Sequence, residues 1–382
     1  MKKRFFLIIE IILILFVPTI SNADTQDIIE NQKETLGISE FIKATDKYSN
    51  EVLEDIDIGD LINEAIGGKI KTDTFFKKIV SLFGSEVSQS IQTIASILVV
   101  IIIHSILKSI TESLGNDSVG QITYYAQYIL IVTIIMNNLS NILSMTRQTI
   151  SNLVGFMNCL VPLLITLIIS TGSITTGGVI QPILLFIINF IGNAIEVFFI
   201  PFILISSVLS IISNISSKAQ IDKIAKFFNS SVVWTLGVVL TIFVGVLSLE
   251  GTLSSSVDGI TAKATKTAVS SVIPVVGKIL GDTVDTVMGC SLILKNAIGL
   301  VGVIIIIGIC IMPILKLTAL SITYSLTAAI IQPVADEKIV KLMDQISGIF
   351  KILLGILCVV SVMLIIGVTL VIKISNSGMM YR

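Results

Sequence analysis

The chain has 382 residues, of which 53% are apolar and 13% charged, with a formal net charge of −1. Its mean hydropathy is +0.98, whereas soluble domains usually carry about 25% charged residues. That excludes a soluble globular protein, and the lack of a basic excess excludes nucleic acid as a partner. The apolar residues fall in long blocks rather than in alternation, which predicts an all-α, polytopic membrane protein and not a transmembrane barrel.

Residues 1–23 have the order of a signal peptide. Lys2, Lys3 and Arg4 form a charged start, Phe5 to Val17 an apolar stretch interrupted by Glu10, and Pro18 a helix stop. Ser21 and Ala23 set small residues at −3 and −1 of a cleavage site before Asp24. An uncleaved anchor is the alternative. Residues 24–86 form the next unit, an acidic, water-exposed helical segment placed outside the cytoplasm by the signal peptide. Between Asp24 and Lys78 there are 13 Asp/Glu and 7 Lys/Arg, a net of −6. Leu53, Ile56, Leu61, Ile62, Ala65 and Ile66 recur at helical spacing, and Gly67-Gly68 ends the run. The segment is either a solvated amphipathic arm or a docking surface for a partner.

Residues 87–382 form the multispanning domain. A crossing helix takes about 20 mainly apolar residues, and nine stretches qualify: 91–110, 122–144, 153–171, 179–195, 197–213, 231–249, 297–315, 317–334 and 350–373. The expectation is therefore about eight or nine transmembrane helices after the signal peptide. The run 179–213 is ambiguous, with Glu196 and Pro201 near its middle. It is either a tight hairpin of two helices or one long broken helix. Lys218, Lys223 and Lys226 mark the 214–230 linker as cytoplasmic, and Lys373 and Arg382 do the same for the C-terminus. Nine spans after an outside N-terminus would put both on the inside.

Residues 250–296 fit neither a simple span nor a simple loop. The apolar part, Ala268 to Leu280, is too short to cross and holds Pro274 and Gly277; Gly281, Asp282 and Asp285 follow. Proline breaks a helix there, and Gly277-xxx-Gly281 has the small-xxx-small spacing that lets helices approach closely. The segment is either a re-entrant element packed inside the protein or an amphipathic hairpin on the membrane surface.

Enzyme chemistry has no footing in the sequence. His104 is the only histidine, and there is no GxSxG, HExxH or GxxxxGK[ST]. Cys159, Cys290, Cys310 and Cys358 are far apart and form no CxxC, so no metal or cofactor site and no disulfide framework is indicated. Intramembrane ionisable residues are functional candidates by default, which singles out Glu196, with a hairpin-loop surface residue as the plainer reading. Pro274, Gly277, Gly281, Asp282 and Asp285 complete the set of structural or pore candidates. Coupling carboxylates would suit a stand-alone secondary transporter, although no sequence repeat supports one.

The order of signal peptide, acidic helical segment and many spans, with the stretch from Glu250-Gly251 through SSSVDGITAKATKTAVSSVIPVVGKILGDTVDTVMGCSLILKNAIG, resembles the stage III sporulation protein AE family. The resemblance covers nearly the whole chain and is most specific over 250–299. It implies a multi-pass protein of the mother-cell membrane that surrounds the forespore. It further implies a permease-like or export-gate component of a channel or feeding apparatus needed after engulfment. Its partners would be the other membrane proteins of the same stage III sporulation operon and a forespore-membrane protein across the intermembrane space. The family brings no catalytic residues to carry over.

Overall fold

The computed structural model describes residues 25–48, 57–68, 73–113, 117–215, 221–272 and 276–379, and these are helical with no strand among them. The signal-peptide stretch 1–23 lies outside the described residues. Three short helices come first: α1 (Thr25–Thr35), α2 (Ile38–Asp46) and α3 (Ile58–Ile66). The positive φ of Gly37 (76°) lets the chain turn between α1 and α2. Asp57 caps α3 by accepting a hydrogen bond from the Asp60 backbone N–H at 3.1 Å.

Six long helical elements follow. They are α4 (Asp73–Ser113), α5 (Asp117–Ser170), α6 (Ile174–Ala194) continued through a π turn (Ile195–Phe199) into α7 (Ile200–Ile215), α8 (Asp222–Val272), α9 (Val276–Ile331) and α10 (Glu337–Met379). Each contains a stretch long and apolar enough to cross a membrane. The polytopic helical class stands, but the segmentation differs from the nine stretches. Spans 122–144 and 153–171 are one 54-residue helix, and 297–315 and 317–334 lie in one 56-residue helix. The polar residues between the first pair hold no glycine or proline, so nothing stops the helix. The run 179–213 is the long broken helix, not a hairpin. At 1.5 Å per residue α5 is about 81 Å long, far beyond the roughly 30 Å of a bilayer core.

The six elements alternate in direction. At one end, the Asn214 amide donates to Gln345 Oε1 at 2.6 Å, Lys341 ion-pairs with Asp222, and the Tyr128 hydroxyl donates to the Ile211 carbonyl at 2.6 Å. These bonds gather the start of α5, the α7–α8 turn and the start of α10. At the other end, Lys295 Nζ donates to the Ile372 carbonyl at 3.1 Å, tying the first half of α9 to the last turns of α10. Asn214 and Asp222, both in the 214–230 linker, and Ile372 near the C-terminus therefore sit at opposite ends of α10. If that helix crosses once, they cannot share a side of the membrane. The expectation that the linker and the C-terminus are both cytoplasmic counted four crossings between them, 231–249, 297–315, 317–334 and 350–373, where the described residues form three long apolar helices.

α9 lies at the centre of the bundle, and no residue from 301 to 321 is exposed. Ile298, Val301, Ile305 and Ile306 are each buried completely. The acidic arm is neither free nor solvated all round. Ile38, Phe41, Ile58 and Ile62 are buried, and α2 seats against α5, with the Phe41 and Phe156 rings 6.0 Å apart and those of Tyr48 and Phe156 6.5 Å apart. Gly155 makes room: a Cβ there would lie 2.6 Å from the Tyr48 hydroxyl. The Gln32 amide donates to the Val287 carbonyl at 3.2 Å, so the arm also grips the start of α9.

Candidate functional site: a polar track on α5 and a cleft at the π turn

From residue 133 to 166, every exposed side chain of α5 is polar: Thr133, Asn137, Ser140, Asn141, Ser144, Arg147, Gln148, Ser151, Asn158 and Thr166. They recur at intervals of three and four, so they form one stripe along the helix. Leu139, Ile142, Ile150, Leu153 and Leu160 fill the opposite, buried face. The contrast is α8, whose exposed residues include Ile224, Phe227, Val233, Trp234, Ile242, Val246 and Leu249. That face suits hydrocarbon. The α5 face does not, because a charged arginine at bilayer depth alone costs about 2.5–3.5 kcal/mol on insertion scales. The track must meet water or protein.

α6 and the π turn build the other wall. Pro201 lacks an N–H, and its ring would strike the carbonyl four residues back. The helix widens just before it, and the Ile200 N–H bonds to the Ile195 carbonyl five residues earlier. The widened turn leaves Glu196 exposed. Gly192 brings α6 onto α5, since a Cβ there would lie 2.7 Å from Val154 Cγ2. Between the two walls is a cleft of about 220 Å³ lined by Arg147, Ile150, Ser151 and Val154 on one side and Asn189, Gly192, Asn193, Ile195, Glu196 and Ile200 on the other. Beside it, Asn158 and Asn189 bond to each other reciprocally, Asn158 Nδ2 donating at 3.2 Å and Asn189 Nδ2 donating at 3.0 Å. Arg147 and Glu196 line one cavity but form no ion pair with each other.

The other sequence candidates lie elsewhere. Asp285 is exposed near the start of α9, two residues from the Val287 carbonyl that holds the arm. Gly277, Gly281 and Asp282 occupy helical positions on α9, and their side chains lie outside the described residues, as does Pro274 altogether. Glu196 thus shares its cleft with Arg147, and Asp285 does not line that cleft. His104 is on α4, with its side chain likewise outside the described residues. Among the described residues no group of His, Cys, Asp or Glu could hold a metal ion.

Sequence reasoning missed three charged groups. Arg147 fell in the supposed linker between two spans, although the i, i+3, i+4 spacing of polar residues from 137 to 151 would have revealed a stripe. Lys316 fell in the one-residue gap between 315 and 317; its Nζ is 3.9 Å from Glu86 Oε2, a carboxylate oxygen buried without a hydrogen bond. Lys295 is fully buried.

The model of the family "Stage III sporulation protein AE" matches residues 56–375. A stage III sporulation protein AE from Bacillus subtilis (strain 168) is 29% identical over 350 residues, which cover 91% of this chain and 88% of that protein. No solved structure matches the chain. The family match reaches from α3 to the last turns of α10 and takes in both walls of the cleft, and on it the chain belongs to the stage III sporulation protein AE family, with a role in sporulation.

Proposed function

We propose that the chain is the permease-like, export-gate subunit of a channel or feeding apparatus between mother cell and forespore, required once engulfment is complete. One observation carries this reading: the continuous polar track on α5 in a chain otherwise built for lipid. An outward stripe of amides, hydroxyls and one guanidinium belongs on the wall of an aqueous path, where irregular or polar surface at membrane depth is tolerated. In this reading the protein sits in the mother-cell membrane around the forespore, its signal peptide is removed, and the acidic arm lies in the intermembrane space. The arm's exposed acids are then free to meet a forespore-membrane partner, while the other products of the stage III operon complete the wall around the track.

The test is a deletion strain complemented with the wild-type chain or with a variant whose track is made apolar at Asn141, Ser144 and Ser151. Deletion should leave vegetative growth intact and stop sporulation after engulfment. The apolar variant should insert into the membrane and fail to restore spores. Normal heat-resistant spores from either strain would overturn the proposal. The stand-alone transporter, coupled through Glu196 or through Asp282 and Asp285, has less support, because no sequence repeat accompanies these acids.

A further inference from the structure

We propose that the cleft between α5 and the π turn binds a small zwitterion, a free amino acid or a short peptide, whose carboxylate pairs with Arg147 and whose ammonium pairs with Glu196. The inference deepens the reading of the track as a solute-facing wall and rests on it. Four features of the cleft converge on this class of ligand.

First, a guanidinium and a carboxylate line the same cavity from opposite walls and yet form no ion pair with each other. Both side chains are exposed to the cleft, so neither is already committed to a partner charge. A pair held apart leaves both ends open to a ligand that brings one charge of each sign. Second, the formal charge of the lining is zero, with one cation and one anion. A strongly anionic or cationic solute would satisfy one group and repel the other. Third, Ser151, Asn189 and Asn193 supply neutral donors and acceptors. Ile150, Val154, Ile195 and Ile200 supply an apolar wall for a side chain. A few convergent polar groups set in an apolar lining are the usual make-up of a small-molecule site. Fourth, a cavity of about 220 Å³ has room for one small solute and none for a folded chain.

The backbone explains why the charges stay apart. The π turn exists because of Pro201, and it sets the outward position of Glu196 independently of Arg147. The close approach at Gly192 fixes the spacing of the walls. The reciprocal Asn158–Asn189 amide bond bridges α5 and α6 alongside the cleft. Because it is neutral and exposed, it can open at little cost.

The experiment uses the full-length protein in nanodiscs of phosphatidylglycerol and phosphatidylethanolamine. It is dialysed against an equimolar mixture of the proteinogenic amino acids and glycylglycine, and retained species are identified by mass spectrometry. The expected result is retention of at least one zwitterion above empty nanodiscs. Its amide, which lacks the carboxylate, and its N-acetyl form, which lacks the ammonium, should not be retained. Arg147→Gln and Glu196→Gln should each weaken retention about tenfold or more, the effect of losing one charge-assisted contact. Trp234→Phe, outside the cleft, should change nothing. Thermal unfolding of each variant shows whether it is folded. If a variant is not, Ser151→Leu, which fills the cleft from the exposed side, takes its place with the same expected loss. No retention by the folded wild-type protein, or equal retention by folded Arg147→Gln and Glu196→Gln, would overturn the proposal. The two readings fail separately. Binding by the wild-type protein together with normal spores from the deletion strain would sink the channel role and leave the site. Labelling of single cysteines placed along the track by a membrane-impermeant maleimide, without zwitterion binding, would leave the aqueous wall and sink the zwitterion site.

Discussion

Removing the Phe41 ring should release the acidic arm from the bundle. Phe41 is 4% exposed, and its ring meets Phe156, itself fully buried, at 6.0 Å. Truncating a buried phenylalanine to alanine costs about 3–5 kcal/mol. Most of that loss falls on docking, because α2 has only nine residues and cannot hold its shape without α5. A loss of about 3 kcal/mol raises the undocked fraction about 100-fold. Lys43 and Lys47 are exposed on or just after α2, so trypsin can report the change. When opening is fast relative to cleavage, cleavage follows the open population. In right-side-accessible membranes, Phe41→Ala should be cut at these lysines about 100-fold faster than wild type. Glu40→Ala, an exposed neighbour, should be cut at the wild-type rate. Equal rates for Phe41→Ala and wild type would refute the docking of the arm through this aromatic contact.

Three further outcomes follow from named contacts. Lys316→Met leaves the buried Glu86 carboxylate without its cation and should cost about 1–3 kcal/mol, less than for a fully buried pair because Lys316 is partly exposed; the double variant with Glu86→Gln should recover most of the loss in thermal unfolding of the detergent-solubilised protein. Gly277→Leu or Gly281→Leu on α9 should impair assembly and spore yield if another helix packs closely there, whereas normal yield from both would make that segment peripheral. N-terminal sequencing of the protein from sporulating cells should begin at or near Asp24, and a retained Met1 would indicate an anchor.

The helical class was legible because hydropathy registers long apolar blocks, and these blocks are helices in the structure. The number of helices was not legible. A hydropathy window averages around the whole circumference of a helix, so the polar face of residues 137–151 looked like a break although Leu139, Ile142 and Ile150 keep the core stripe unbroken. Lys316 misled in the same way: one charge between two apolar stretches reads as a boundary, while the backbone runs straight through it. Glu196 was legible as a candidate because an acid amid apolar residues is conspicuous. Its partner wall was not, because the approach of Arg147 to Glu196 depends on contacts such as Gly192 against Val154, which are distant in sequence. Helical spacing in the arm was visible at Ile62, but its seat was not, since Phe41 and Phe156 are separated by more than a hundred residues and by the whole of α4.

The central claim is that the α5 track faces water. Single cysteines at Asn141, Ser144 and Ser151 on the track, and at Val233 and Ile242 on α8, should be treated with a membrane-impermeant maleimide in membranes from sporulating cells, against a parent in which the native cysteines are serine. The account predicts that the three track positions label readily and that the two α8 positions, facing lipid, do not. Track positions that stay unlabelled while Lys43→Cys in the arm labels fully would contradict it.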